Sequence, residues 1–300
     1  HISVGFFIFL IGSFVIGIAA TVLQVVLNLY LTVCQIGKTT ALQRQMIGGT
    51  SNSIGMAIAP LVISYLIFHG TPLHDIVTKQ FIIPLIVLIL IMLIVTFFVG
   101  RIQMPSIGNV RQAPGENLDK SVWSFRNLKL GVWGIFFYVG IEVAVGANVN
   151  MYASELGGSF ASNATHMAAL YWGLLLLGRF LGSFIRRIPS EKQLVTASIG
   201  AIILLVLAML TANPWILTLI GFFHSIMWPA IFTLATDKLG KYTTKASGVL
   251  TMGVIGGGII PLLQGIFADV MGGNWLWTWL LVIAGEAYIL YYGLNGYKQH

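Results

Sequence analysis

The chain has 300 residues, of which 57% are hydrophobic and 8% are charged, against about 25% charged in an ordinary soluble domain. Its mean hydropathy is +0.89. This composition excludes a soluble enzyme, a disordered protein and a secreted disulfide scaffold, and it leaves a polytopic membrane protein. The net charge of +7 would suit nucleic acid, but the basic residues lie between apolar runs, so membrane topology explains them better. The single cysteine, Cys34, gives neither an internal disulfide nor a metal cluster.

Nine segments are long and apolar enough to cross a bilayer, since a helical span needs about 20 mostly apolar residues. They lie at residues 3–33, 40–68, 80–100, 129–154, 164–186, 193–212, 214–236, 246–268 and 274–296. The strands of closed β-barrels alternate over short segments, whereas these runs are continuous. The sequence therefore predicts an all-α membrane protein with nine transmembrane helices.

The basic residues lie mainly on one set of alternate loops. Of the 16 lysines and arginines, 14 lie on this set, Lys79 lies on the opposite set and Arg179 lies within a span. The positive-inside rule then predicts a cytoplasmic C-terminus and a start on the outer side of the membrane. Because no signal peptide begins the chain, we expect an odd number of helices before His1.

One long polar stretch predicts how the helices are grouped. It is predicted to be a cytoplasmic linker at 101–128, between a partial N-terminal bundle of three helices at 1–100 and a six-helix bundle at 129–300.

A possible internal repeat relates the two bundles. A basic turn leads into GMAIAPL at 55–61 and again into GGGIIPL at 256–262. Chance is the alternative explanation, because Gly and Ala are common in membrane helices. A true repeat would predict two bundles around a midplane site, which is a transporter arrangement.

Polar side chains in the middle of apolar spans mark the candidate site, because such groups are costly in a membrane. Glu142 is predicted to bind a proton or a sugar hydroxyl; a protonated glutamate that holds helices together is the alternative. Asn150 lies eight residues further on and could extend a polar wall, with Asn148 as the weaker candidate. Gln24 and Asn28 share one helix face, where two amides suit sugar hydroxyls or, alternatively, interhelical hydrogen bonds.

Further candidates lie on the second and the later spans. Asn52 is close to mid-span beside several glycines, which allow either a sugar ring or a neighbouring helix to approach. His224 is predicted to be a proton-sensitive group or a sugar ligand, with Trp228 as a stacking face; a satisfied histidine and a packing tryptophan are the alternatives. Gln264 follows Pro261 and is expected to face the cavity.

Three other features of the sequence are predicted to have roles other than binding the substrate. Arg179 is predicted to be a conformational latch between moving helices, with snorkelling to the inner interface as the alternative. Glu286, in the middle of the last span, is expected to have a structural or subunit-contact role. The tryptophans at 275, 277 and 279 are expected to form an interfacial belt.

Three stretches of the sequence resemble a known family. They are LQVVLNLY at 23–30, YVGIEVAVGANVNMY at 138–152, and the long run from HSIMWPAIFTLATDKLGKYTTKASG to GGGIIPLLQGIFAD at 224–269. With them the chain resembles the major facilitator superfamily, in its fucose/glucose/galactose-type proton symporter branch. The resemblance implies a major-facilitator helical bundle in which the nine spans are helices 4–12 of a twelve-helix fold.

The chain also departs from the pattern of that branch. The glutamate of fucose-type members is Gln24 here, which is similar to glucose/galactose-type members. The proline expected after Asn28 is Leu29. A substrate-site glutamine expected in the family is Gly49, and an expected asparagine is His224.

We therefore expect a secondary active transporter that imports a hexose or amino sugar of glucose, galactose or fucose type by proton symport and alternating access. Sodium is the alternative coupling ion. A non-transporting membrane sugar sensor or a truncated remnant is the alternative function. An enzyme is not expected, because the acids are dispersed over different helices and recognisable catalytic motifs are absent from the sequence. We expect a monomer in a bacterial inner membrane, with lipid around it and no cofactor, metal or nucleic acid.

Overall fold

The computed structural model describes residues 4–61, 82–103 and 118–299, and this part of the chain is helical without a β-strand. The first helices are α1 (Val4–Val33), α2 (Ala41–Leu61), α3 (Ile82–Arg101), α4 (Arg126–Leu156), α5 (Gly158–Ser162) and α6 (Ala164–Gly182). They are followed by α7 (Ser190–Thr211), α8 (Pro214–His224), α9 (Met227–Thr236), α10 (Thr243–Thr251), α11 (Gly256–Val270) and α12 (Trp279–Tyr291). The prediction of an all-α chain is confirmed for these residues.

Among the described residues, six helical segments are long and apolar enough to cross a membrane. They are Gly5–Val33, Ile82–Arg101, Arg126–Leu156, Ser190–Thr211, Pro214–Thr236 and Gly240–Val270. The other three predicted spans coincide with α2, α6 and α12, and the first of these continues beyond Leu61 into residues outside the described part. The chain is thus a multi-pass membrane protein, and the number of nine helices stays a prediction.

The helices group into two compact units. One unit contains residues 1–50 and 107–300, and the other contains residues 51–106. In the smaller unit, α3 exposes nearly every side chain to its surroundings in the described part of the chain. Arg101 ends α3 and lies over the Phe97 ring, 4.7 Å from its centroid.

In the larger unit, α4 is the central helix and packs against α6, α8, α9, α11 and α12. Its contact with α11 is so close that a side chain would not fit. A Cβ atom at Gly256 would overlap the backbone oxygen of Phe136, and one at Gly140 would overlap Ile260. Small residues allow backbones to approach in this way, which is the main source of helix association in a bilayer.

The start of the chain joins this unit at the end where α4 begins. Arg44 closes the turn between α1 and α2 by donating to the carbonyl oxygens of Leu31, Thr32 and Thr39, each at 2.7 Å. The bonds to Leu31 and Thr32 satisfy carbonyl groups that the end of α1 leaves without helical partners. The Gln43 side-chain amide then donates to the Ser183 carbonyl oxygen at the end of α6, at 2.9 Å.

Two helical stretches of the larger unit are broken within the apolar region. The α8 helix ends at His224 and α9 begins at Met227, because Pro229 has no N–H to donate to the carbonyl of Ser225. Similarly, a 3-10 segment at Met252–Ile255 separates α10 from α11. Mid-helix 3-10 segments and broken helices are typical of hinges and of binding sites in transporters.

The prediction that the three tryptophans form an interfacial belt is wrong for Trp279. The Trp279 side chain is fully buried, and its ring packs edge-on against Tyr152 with centroids 5.9 Å apart. Trp277 is 48% exposed, as a residue at an interface would be. A helix start has an inner and an outer side, so neighbouring tryptophans there do not all face lipid.

Candidate functional site

An ion pair occupies the middle of the larger unit. The Arg179 guanidinium on α6 donates to the Glu142 carboxylate on α4 through Nη2, at 3.3 Å. The two side chains are only 10% and 13% exposed, respectively. Because removing either partner would leave an uncompensated charge in a nearly dry site, the two residues depend on each other.

Next to this pair, three side chains from three helices form a buried hydrogen-bonded row. The Tyr171 hydroxyl on α6 lies 2.6 Å from Nδ1 of His224 at the end of α8. Nε2 of the same ring lies 2.6 Å from Oε1 of Glu286 on α12. All three side chains are fully buried. The row also reaches α4, because the Tyr171 hydroxyl donates to the backbone oxygen of Glu142 at 3.1 Å.

Glycines at the helix crossings bring the row together. A Cβ atom at Gly221 would overlap the Tyr171 backbone oxygen, and one at Gly178 would overlap Oγ of Ser225. These two glycines therefore let α6 and α8 approach closely on either side of the Tyr171–His224 contact. Across the unit, a Cβ atom at Gly285 would lie 2.6 Å from Cγ2 of Ile141, so α12 approaches α4 closely at the residue before Glu286.

A second polar row lies on the other part of α4. The Asn148 amide donates to Oε1 of Gln264 at 2.9 Å, and the Gln264 amide donates to the Thr278 hydroxyl at 3.0 Å. Gln264 is fully buried and uses both ends of its amide in these bonds. The Gln264 side chain was expected to face a cavity. In this conformation it makes interhelical hydrogen bonds instead. Asn150 is half-buried, and its Oδ1 has no hydrogen-bond partner among the described residues.

The remaining predicted residues lie outside these two rows. Gln24 is on the exposed side of α1, and Asn28 is half-buried, with its backbone oxygen accepting from the Gln45 amide at 2.8 Å. Trp228 is half-buried and stacks on Phe232 with centroids 6.2 Å apart. Asn52 is exposed and belongs to the smaller unit.

Sequence reasoning missed Tyr171 and gave Glu286 two alternative roles. A carboxyl group that is fully buried within the chain and bonded to His224 fits the expected structural role and not the expected subunit contact. The sequence did contain a signal for the Glu286–His224 contact. An ionisable group in mid-span needs a partner, and both residues are such groups. A tyrosine in an apolar helix carries no comparable signal, since tyrosine is common in buried positions.

Among the described residues, the ionisable side chains of the site lie in buried pairs. In the described ranges, no three histidine, cysteine or acidic side chains are grouped so that they could hold a metal ion. A groove of about 240 Å³ between α7 and α12 is lined by apolar side chains, Leu210, Trp277 and Ile283 among them, and by none of the predicted site residues. The ionisable groups are instead buried in pairs, where gaining or losing one proton changes the local hydrogen bonding.

Long apolar helices that are broken beside buried ionisable pairs are typical of membrane transporters. The sequence model of the Major Facilitator Superfamily matches residues 2–260. The chain belongs to this superfamily, and its family and fold are those of a transporter, not of an enzyme.

The chain is similar in sequence to proteins that are named as sugar transporters. It is 35% identical over 301 residues to the glucose/galactose transporter of Brucella abortus, covering 97% of this chain and 72% of the relative. It is 26% identical over 292 residues to the L-fucose-proton symporter of Escherichia coli, covering 88% of this chain and 66% of the relative. Among solved structures, the fold matches the Major Facilitator Superfamily transporter FucP in its outward conformation. That match has a TM-score of 0.77 at 22% identity and covers 93% of this chain and 73% of FucP.

Proposed function

We propose that the protein is a secondary active transporter that imports a hexose or amino sugar of glucose, galactose or fucose type together with a proton. The observation that carries this proposal is the 35% identity to a glucose/galactose transporter over 97% of the chain. The superfamily fold supports the same mechanism class, because two helix groups that rock about a midplane site alternate its access.

The arrangement in the membrane follows from the same proposal. Nine spans divide into three at 1–100 and six at 129–300, joined by a cytoplasmic linker at 101–128. The C-terminus is cytoplasmic, because the loops on that side carry most of the lysines and arginines. The transporter works as a monomer.

Within the site, we assign the sugar to polar and aromatic groups from several helices. In the larger unit these groups are Gln24, Asn28, Glu142, Asn150, His224, Trp228 and Gln264, while Asn52 of the smaller unit stays a sequence-based prediction. The buried Oδ1 of Asn150, without a partner among the described residues, supports a ligand at this level of α4. Trp228 has one ring face covered by Phe232, so a sugar would stack on the other.

Glu142 is the proposed proton-coupling acid, and Arg179 is the proposed latch. Their ion pair supports both roles, since protonation of the carboxylate would remove the charge that holds the guanidinium. Arg179 also lies against α2, because a Cβ atom at Gly49 would be 3.3 Å from Cδ of Arg179. Release of the pair would thus free a side chain at the contact between α2 and α6.

Uptake into membrane vesicles tests the proposal. The protein, expressed from its complete reading frame, is given radiolabelled glucose, galactose, fucose or N-acetylglucosamine with an inward proton gradient, an inward sodium gradient or neither. We expect one of these sugars to accumulate under the proton gradient. The Glu142→Gln variant should lose accumulation, whereas Glu155→Gln, at the exposed end of the same helix, should retain it.

Each other result has a definite meaning. Accumulation driven by sodium alone would replace the proton as the coupling ion. Sugar binding without accumulation under either gradient would favour a sensor or remnant. Failure to bind any of the four sugars would refute the assignment of a sugar substrate.

A further inference from the structure

The hydrogen-bond directions in the buried row determine how many protons it holds. The Tyr171 hydroxyl has one hydrogen and two neighbours, and the Glu142 backbone oxygen can only accept. To make both bonds, the hydroxyl donates to this oxygen and accepts from the N–H at Nδ1 of His224. Nδ1 is then protonated, and the 2.6 Å contact between Nε2 and Oε1 of Glu286 contains one further hydrogen.

This arrangement is neutral overall, whichever of the two atoms carries the shared hydrogen. Neutrality fits the burial, because His224 and Glu286 are both fully buried and Oε2 of Glu286 has no hydrogen-bond partner among the described residues. A charged carboxylate with one oxygen unsolvated would be costly there. These distances and this burial fit a row that has a proton bound.

Removing one proton produces a second complete arrangement. The Tyr171 hydroxyl turns to donate to Nδ1 of His224, while the N–H at Nε2 donates to the Glu286 carboxylate. The row then carries one negative charge, and the hydroxyl no longer donates to the Glu142 backbone oxygen. The difference between the two arrangements is one proton and one hydrogen bond from α6 to α4, at the residue that pairs with Arg179.

We propose that His224 and Glu286 form a proton-binding site of the transporter, and that the Tyr171 hydroxyl transmits its occupancy to Glu142. The inference rests on the proposed proton symport. It places a bound proton between α8 and α12, in addition to the carboxylate of Glu142. It also gives a function to Glu286, which the sugar site does not use.

The other ionisable groups near the row are few. On α4, Tyr138 packs edge-on against His224 with centroids 6.2 Å apart, and Glu142 lies one turn further on. On α6 they are Tyr171 and Arg179. The α7 helix, which also packs against α8, has its charged residues Glu191 and Lys192 in the first turn. Among the described residues, the charged groups next to the row are therefore those of the Glu142–Arg179 pair.

The test compares uphill accumulation with exchange in vesicles of the full protein. Glu286→Gln retains the shape and hydrogen bonding of the side chain but cannot take up the proton. We expect its sugar exchange without a gradient to continue, while the inside-to-outside sugar ratio under a proton gradient falls well below that of the wild type, because the contribution of this proton to the coupling free energy is lost. Asp269→Asn, the same change at an exposed position on α11, should accumulate sugar normally.

The outcomes separate this inference from the proposed function. A wild type that never accumulates sugar would refute proton symport and this inference with it. A wild type and a Glu286→Gln variant that accumulate equally would overturn only this inference. If Glu286→Gln does not fold, Tyr171→Phe replaces it, because the ring is retained and the switching hydroxyl is removed; equal accumulation by that variant would again overturn the inference.

A measurement on the wild type adds a readout that does not depend on transport. With ¹⁵N-labelled histidine, the ring nitrogens of His224 report which of them carry hydrogen. We expect the Nδ1 signal to change between the protonated and deprotonated forms as the external pH is raised in the presence of sugar. An Nδ1 signal that stays constant across the range in which transport changes would overturn the inference.

Discussion

At the residue scale, the Glu142–Arg179 pair differs from an ordinary surface ion pair in its surroundings. Both side chains are nearly buried, whereas Lys241 and Asp119 form a pair of the same 3.3 Å length with side-chain exposures of 31% and 77%. Water and salt screen the second pair but hardly reach the first. Glu142 and Arg179 therefore depend on each other more strongly than Lys241 and Asp119 do, although the two distances are the same.

A double-mutant cycle should reveal this difference. Arg179→Ala and Glu142→Ala should each destabilise the protein strongly, and the double variant should lose much less than their sum, with a coupling on the order of 2 kcal/mol. The same cycle at Lys241 and Asp119 should give about 0.5 kcal/mol or less. Unfolding in mixed detergent measures all variants, and equal couplings in the two cycles would contradict the burial argument.

At the scale of elements, small residues determine where the helices cross. The α6–α8 crossing has a glycine on each helix, so backbone and side chains meet without an intervening Cβ atom. Because this crossing also sets the Tyr171–His224 distance, packing and site geometry are linked. A bulkier residue at the crossing would separate the helices and the hydrogen-bonded row together.

Two glycine-to-alanine substitutions test this link. At Gly221 an added methyl group would overlap the Tyr171 backbone oxygen, so we expect a loss of about 1–3 kcal/mol from overpacking. At Gly173, on the exposed side of α6, no atom lies within 4 Å of an added Cβ. Alanine there should be neutral or stabilise the helix by up to about 1 kcal/mol. Thermal unfolding compares them, and similar losses at both sites would argue against a tight crossing.

At the scale of the whole molecule, the start of the chain is bonded to helices far along the sequence. The Ser247 hydroxyl on α10 donates to the Val25 backbone oxygen on α1 at 3.1 Å, and Gln43 binds the end of α6. Alternating access requires contacts of this kind to break and form again during each cycle. In the conformation described, both bonds are formed.

Cross-linking should arrest the cycle. In a Cys34→Ser background, Val25→Cys with Ser247→Cys should be joined by a short bis-maleimide, and sugar uptake should then stop. The control pair Asp119→Cys with Lys241→Cys joins the end of the linker to the C-terminal bundle that follows it and should leave uptake unchanged. Full uptake by the first pair after complete cross-linking would mean that α1 and α10 stay together during transport.

Much of the architecture followed from the sequence alone. Continuous apolar runs predicted long helices, and most helix ends lie within a few residues of the predicted ends, because the length of a span is set by the membrane and by the loop residues at its ends. The motifs at 23–30, 138–152 and 224–269 identified the superfamily. Glu142 and His224 were identified as candidates because ionisable groups in mid-span need a reason to be there.

Tertiary structure decided which of these groups meet. Sequence spacing relates residues on one helix, as with Gln24 and Asn28, but does not specify partners on different helices. The pairing of His224 with Glu286, the bridging position of Tyr171 and the burial of Trp279 all depend on how α4, α6, α8 and α12 cross. Those crossings are set by glycines that fit against one particular neighbour, and only the folded chain identifies that neighbour.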